Sequence, residues 1–221
     1  MRRTTPWIFG LSLLAAAASP TWAQEKKPLT MGELQTIRAM AGGTVGEALG
    51  QVMPMPTLGV IANRSAICST LAGGIGSGYL RTHPKGAFTM ESVREASDIP
   101  AAVQRLANAD MVYLAFGGEW KRDDNVALLE KTLEELAAQQ YKGTLVFHVT
   151  TWAQKQPQDI VARNPRVADY LRKSSMAVGT LNLDAKKATL NRLALDGDQF
   201  KLTAVAEVPL RDDLVALFRR Q

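Results

Sequence analysis

The sequence is poor in the residues that most often carry chemistry. Its 221 residues include one cysteine, Cys68, and two histidines, His83 and His148. A single cysteine excludes an internal disulfide and a Cys-x-x-Cys exchange motif, and we expect Cys68 to be buried and inert. No pair of histidines or cysteines has the spacing of a metal site. The residues therefore predict neither a metal nor a cofactor.

Glycine-rich stretches are present, but none has the order of a nucleotide-binding loop. No Gly-x-x-x-x-Gly-Lys pattern occurs, which excludes a P-loop. In the stretch 73–78, Tyr79 stands where the last glycine of a dinucleotide fingerprint belongs. The glycines at 117–118 follow a strand-like run, yet the aspartates at 123–124 stand where a phosphate would bind. The net charge of +5 falls to +3 without Arg2 and Arg3, and +3 spread along the chain is too weak to predict nucleic-acid binding.

The first 23 residues have the composition of a removable export signal. Arg2 and Arg3 precede an apolar run over residues 8–18, and Ala23 ends a Thr-Trp-Ala stretch with small residues where a signal peptidase reads them. The apolar run is shorter than the roughly 20 residues that span a bilayer. We expect cleavage after Ala23 and a mature chain in the bacterial periplasm, with no later segment that crosses a membrane.

Two Thr-x-x-Glu patterns predict helix starts near the new N-terminus. They lie at residues 30–33 and 44–47 and have the spacing of a capping box, in which each side chain satisfies a free backbone donor. Gly42-Gly43 would end the first helix. Residues 24–56 are therefore predicted to form a helical hairpin, and residues 57–221 a single α/β domain.

Apolar runs alternate with helical patterns through the middle of the chain. Buried strands are predicted at 57–62, 111–116 and 144–149, with helices between them. Such alternation favours a three-layer α/β sandwich with a mostly parallel central sheet. Further along, Asp196-Gly197-Asp198 predicts a tight turn between two strands. These strands would add an antiparallel hairpin at one edge of the sheet.

If the three central strands are parallel, the residues that follow them meet at one edge of the sheet, where α/β proteins bind ligands. Both tryptophans of the mature chain fall there. Trp120 and Trp152 would stack on a ligand, while Glu119 and His148 would fix its orientation. The predicted ligand-binding residues are Arg64, Ser65, Gly117, Gly118, Glu119, Trp120, His148, Thr150, Thr151 and Trp152.

These features predict an exported, non-enzymatic protein that binds an envelope protein or a small envelope ligand at this edge. Two alternatives stay open. Cys68, His148 and Glu119 are the residue types of a nucleophile, a base and an orienting acid, as in a cysteine-dependent hydrolase, although no hydrolase motif surrounds Cys68. The chain could instead be a structural component of an envelope assembly that docks through its terminal helices.

Overall fold

The computed structural model describes residues 28–220, so the predicted export signal lies outside the described residues. The strands are β1 (Thr57–Asn63), β2 (Ala87–Val93), β3 (Met111–Ala115), β4 (Thr144–Phe147), β5 (Met176–Asn182), β6 (Lys187–Asp196) and β7 (Gln199–Pro209). The helices are α1 (Met31–Val52), α2 (Ala66–Thr82), α3 (Ile99–Arg105), α4 (Arg122–Ala138), α5 (Val149–Ala153), α6 (Gln156–Arg163), α7 (Pro165–Leu171) and α8 (Asp212–Phe218). Within residues 28–220, every helix is too short or too polar to span a bilayer.

The seven strands form one sheet in the order β2-β1-β3-β4-β5-β6-β7. The first five strands in this order pair in parallel, and β6 and β7 add an antiparallel hairpin at one edge. The predicted three-layer sandwich, with its mostly parallel sheet and its C-terminal hairpin, is confirmed. β2 is not apparent from the sequence, because this edge strand buries only Val93 fully and lacks a continuous apolar run.

Helices cover both faces of the sheet, and alternate residues of each strand point to opposite faces. Leu114 and Phe116 belong to the core under α3, α4, α6 and α7, which we call the α4 face. Tyr113 and Val146 belong to the core under α2, which we call the α1 face because α1 also packs there. The apolar side chains of the central strands therefore belong to two separate cores, one on each face of the sheet.

The predicted N-terminal helical hairpin is wrong. α1 is a single helix of 22 residues that passes through Gly42-Gly43 without a break. The first capping box, at residues 30–33, is present and begins this helix. Thr44 begins no helix, because its hydroxyl donates a hydrogen bond to the carbonyl of Met40, one turn back inside α1 (3.1 Å).

The glycines of α1 form a contact surface rather than a stop signal. Gly42, Gly46 and Gly50 recur every four residues and face α2. A Cβ at Gly46 would overlap the carbonyl oxygen of Ile75, and a Cβ at Gly74 of α2 would meet the backbone of α1 in the same way. The two helices run parallel and touch through their backbones, because no side chain separates them.

The C-terminal helix closes against the start of α1. Ile37 of α1 packs with Leu210, Leu214 and Val215 in a small separate core. An ion pair of 2.7 Å between Arg220 and Glu33 joins the end of the chain to the first turn of α1. α8 and α1 therefore form a common roof over part of the α1 face.

We expect Gly46→Ala to destabilise the protein and Gly43→Ala to stabilise it. At position 46 the added methyl group overlaps the backbone of α2, so the free energy of unfolding should fall by about 1–3 kcal/mol. At position 43 nothing lies within 4 Å of an added Cβ, so alanine should add roughly 0.5–1 kcal/mol through its helix propensity. Urea unfolding measures both changes, and equal midpoints would show that the glycine contact does not set the helix spacing.

Candidate functional site

The three predicted central strands end side by side at one edge of the sheet, which we call the carboxyl edge. β1 and β3 are neighbours, and β3 pairs with β4. The chain leaves β1 toward α2 on the α1 face and leaves β3 toward α4 on the opposite face. This reversal between adjacent strands opens the crevice in which open α/β sheets bind ligands.

A network of buried polar groups fills the floor of this crevice. The Asn63 amide donates to the carbonyl of Gly117 (2.8 Å) and to Asn125 Oδ1 (2.5 Å), and Ser65 Oγ donates to Asn63 Oδ1 (3.0 Å). The Asn125 amide donates in turn to the carbonyl of Trp120 (3.2 Å). Both amide hydrogens of Asn63 are therefore used, and the network fastens the loop after β3 rather than offering free donors to a ligand.

Cys68 lies in the first turn of α2 and is buried, as expected. Its backbone amide donates to Ser65 Oγ (3.1 Å), and its thiol donates to the carbonyl of Gly117 (3.2 Å). Gly118 has a positive φ of 83°, and a Cβ there would lie 3.3 Å from the Cys68 sulfur, so glycine suits both the turn and the contact. Burial raises the pKa of the Cys68 thiol, which keeps it neutral and weakly nucleophilic.

His148 caps α5 and points into the α1 face, where it is buried. Its Nδ1 lies 2.9 Å from the hydroxyl of Tyr113. Burial and, to a smaller extent, the nearby charge of Arg38 together lower the pKa of His148 to about 3. The hydrogen bonds described for Cys68 and His148 run to other partners, and Glu119 is exposed. The arrangement therefore does not support the hydrolase alternative.

The two tryptophans pack on the other side of the sheet from His148. Trp120 and Trp152 are half-buried against the core of the α4 face, and Trp152 meets Phe200 edge to face at 5.4 Å. Thr151 Oγ1 donates to the carbonyl of Phe116 (2.5 Å), which holds the start of α5 to the end of β3. The predicted arrangement of indole rings, carboxylate and imidazole around one ligand is divided between the two faces.

The remaining predicted residues have simpler positions. Arg64 is exposed, and its backbone amide donates to the carbonyl of Val93 (2.7 Å). Thr150 packs against the backbone of Gly117. The carboxyl edge thus brings Ser65, Cys68 and the 117–118 loop together, whereas Arg64 lies at its rim.

Arg38, on α1, is the group at this edge that the sequence analysis did not identify. It is only 5% exposed, yet within residues 28–220 it makes no hydrogen bond and no ion pair. Burial lowers the pKa of Arg38, but a guanidinium stays protonated in proteins. Its charge acts on Cys68, Tyr113 and His148, so those groups lie near it. It thus combines full charge, a nearly buried position and the absence of a protein partner within residues 28–220, while its nitrogens still reach solvent.

The negative charge nearest this site belongs to the exposed Glu119, whose field reaches Cys68 but which forms no ion pair with Arg38. Gly42, one turn further along α1, lies against Leu71 of α2, which places Arg38 level with the first turn of α2. That turn contains no acidic residue, and Ser65 is its N-cap. The free amides and the dipole of a helix N-terminus favour an anion, as a guanidinium does. Both features therefore raise the potential for a negative group at the same place.

Arg38 left a signal in the sequence. Leu34, Arg38, Ala41 and Val45 lie on one stripe of α1 at spacings of three and four residues. A charged residue within an apolar stripe indicates either a snorkelling side chain or a buried charge, and the partner surfaces decide between them.

A protein-family model described as "Uncharacterized protein" matches residues 34–217 of the chain. The match includes Arg38 and all the carboxyl-edge residues described above. No curated protein sequence matches the chain.

Several solved structures of binding proteins share a layered α/β fold with this chain at low identity. A solute-binding protein of an ABC transporter from R. palustris, in complex with benzoate, is 12% identical with a TM-score of 0.48, over 80% of this chain and 65% of that one. A solute-binding protein from Rhodopseudomonas palustris BisB5, in complex with 3,4-dihydroxybenzoic acid, is 8% identical with a TM-score of 0.48, over 80% and 66%.

A substrate-binding periplasmic protein from Ralstonia solanacearum is 15% identical with a TM-score of 0.42, over 63% of this chain and 36% of that one. The chain thus spans from about a third to two thirds of the length of these proteins. Likenesses this weak say nothing about what this chain binds.

We expect His148 to make stability depend on pH in the acid range. The folded pKa of about 3 lies below the ordinary value of 6.5, so between these values the unfolded chain binds a proton that the folded chain excludes. Stability should therefore fall as the pH falls through this window, by up to about 1.4 kcal/mol per pH unit from this group. Urea unfolding of wild type and His148→Asn between pH 4 and pH 7 isolates the contribution.

Tyr113→Phe is the matched control, because it removes the hydrogen-bond partner and keeps the buried imidazole. This variant should be less stable at every pH but retain the wild-type slope. Parallel curves for wild type and His148→Asn would show that the ring protonates freely in the folded protein.

Proposed function

This chain belongs to the family whose model matches residues 34–217, and we propose that it is an exported binding protein that holds a small anion beside Arg38. The observation that supports this proposal is the buried guanidinium without a partner. The site lies at the carboxyl edge on the α1 face, between α1, the first turn of α2 and the ends of β3 and β4. Its ligand is an envelope solute, and the protein binds it without transforming it.

The cost of burying Arg38 supports a binding role. An unpaired buried charge costs several kcal/mol, and native proteins pair such charges almost without exception. Within residues 28–220 no carboxylate provides that pair. An anion that enters the site supplies the missing charge, and the apolar surroundings strengthen its attraction to the guanidinium.

The neutral groups around Arg38 support binding rather than turnover. Tyr113 is fully buried and its pKa is raised by burial, so its hydroxyl stays protonated. His148 is neutral over the physiological range. A protonated hydroxyl, a neutral ring and a neutral thiol add no negative charge that would repel an anion. None of them has a pKa near neutrality, as an efficient general base or acid would.

We expect Arg38→Met to stabilise the free protein and to abolish anion binding. Methionine fills a similar volume without a charge, so the free energy of unfolding should rise by about 1–4 kcal/mol. In wild type, sodium acetate at 100 times its dissociation constant should add about 2.7 kcal/mol relative to sodium chloride at equal ionic strength. That gain corresponds to a melting temperature higher by roughly 5–11 °C, which a thermal-shift assay measures.

Arg166→Met is the matched control, because Arg166 is exposed on α7, away from this edge. It should shift with acetate as wild type does. If Arg38→Met is less stable than wild type, or still responds to acetate, the guanidinium is not an unpaired anion receptor.

The export part of the proposal has a separate test. The protein recovered from the periplasmic fraction should begin at Gln24, because cleavage after Ala23 removes the predicted signal. Intact-mass measurement of that fraction decides the point. A protein that retains Met1 in the cytoplasmic fraction would contradict export.

A further inference from the structure

A small apolar cavity, partly open to solvent, lies beneath α1 and α8 close to Arg38. Its volume is about 50 Å³, and Tyr113 and His148 form its floor. Most of its wall is apolar and comes from both roof helices, α2 and the sheet: Ala41, Val45, Leu71, Leu181, Leu214 and Phe218. Arg38 does not itself line the cavity, but it lies one turn before Ala41 on the same stripe of α1, which places it next to the cavity wall.

Gly179 is the residue that leaves this space open. It lies on β5, two residues after Ala177, whose side chain belongs to the core of the α1 face. Because alternate strand residues share a face, a side chain at position 179 would point toward the cavity that this glycine lines. A Cβ built there meets no atom within 4 Å, because Gly179 is only partly buried and faces open space. A larger side chain at this position therefore has room to enter the cavity.

The cavity suits carbon better than water. The polar atoms on its floor, Tyr113 Oη and His148 Nδ1, already hydrogen-bond to each other. A buried water needs two to four polar partners, and cavities that lack them stay dry and accept apolar molecules. A space beside a buried positive charge that cannot hold water well favours the apolar part of an anionic ligand.

We infer that the ligand is a short-chain aliphatic carboxylic acid, with its carboxylate on Arg38 and its hydrocarbon chain in the cavity beside Gly179. This inference rests on the proposed function, because it assigns the anion to Arg38. The cavity has about 50 Å³ of space, so it suits a short chain better than a long one. Butyrate, isovalerate and valerate fit this space, whereas octanoate exceeds it.

The test is isothermal titration calorimetry of the full protein with sodium acetate, butyrate, valerate and octanoate. Affinity should rise about fourfold for each added methylene from acetate to valerate, the factor that corresponds to burying one CH₂ group. Octanoate should bind no more tightly than valerate, because its chain exceeds the cavity.

Gly179→Leu provides the decisive variant, because its side chain would occupy the cavity that Gly179 lines while Arg38 is left unchanged. Acetate should bind it as it binds wild type, while the gain with chain length disappears. Gly179→Ala should lose part of the gain, which keeps the test informative if the leucine variant folds poorly. Gly73→Leu is the matched control, because a Cβ at this exposed glycine of α2 also meets nothing within 4 Å.

The outcomes separate the two proposals. If acetate binds wild type but affinity stays flat with chain length, the cavity inference fails and the anion site stands. A gain that survives in Gly179→Leu also overturns the inference. If no acid of the series binds wild type, the proposed anion site fails and the inference fails with it.

Discussion

The backbone contact between α1 and α2 determines where the groups of the candidate site lie. Gly42, Gly46 and Gly50 present no side chain to α2. α1 can therefore lie close beside α2 and pack against the sheet. This position brings the first turns of α1 over the ends of β3 and β4. Arg38, one turn before Gly42, is buried there as a consequence. A wider spacing between the helices would leave the guanidinium in water, where its charge would cost little and attract anions only weakly.

The same contact explains why a costly charge is tolerated. The α1 face has its own core, which includes Tyr79 and Ile75 of α2, and α1 is held to it along its length. The stability gained from this packing offsets the burial of one unpaired charge, so the protein folds with an unsatisfied group in place. Proteins depart from complete pairing mainly at functional sites. Under the proposed function, an anion that binds there would pair the charge, and the removal of this unfavourable term would add to the binding free energy.

The fold could be predicted from the sequence because its signals are local. The runs that became β3 and β4 are short, apolar and bounded by turns, and the turn at Gly197 marks the hairpin. The pair Gly42-Gly43 led to a wrong helix end, because only the facing helix shows whether such glycines stop α1 or pack against a neighbour. The arrangement of the candidate site was harder to predict from the sequence. The three strand ends do meet, but the pleat sends His148 to one face, while Trp152 packs on the other.

The charges at the carboxyl edge decide what kind of function it can support. Proton transfer needs a group whose pKa lies near the working pH, and burial moves the pKa of both Cys68 and His148 away from that range in opposite directions. The shift of each group favours its neutral form, so the positive charge of Arg38 is not balanced by either of them. A permanent charge attracts a ligand at every physiological pH, but it neither donates nor accepts a proton during a reaction. These charges, with the apolar space beside Gly179, are the reason that we propose binding of an anion rather than its chemical conversion.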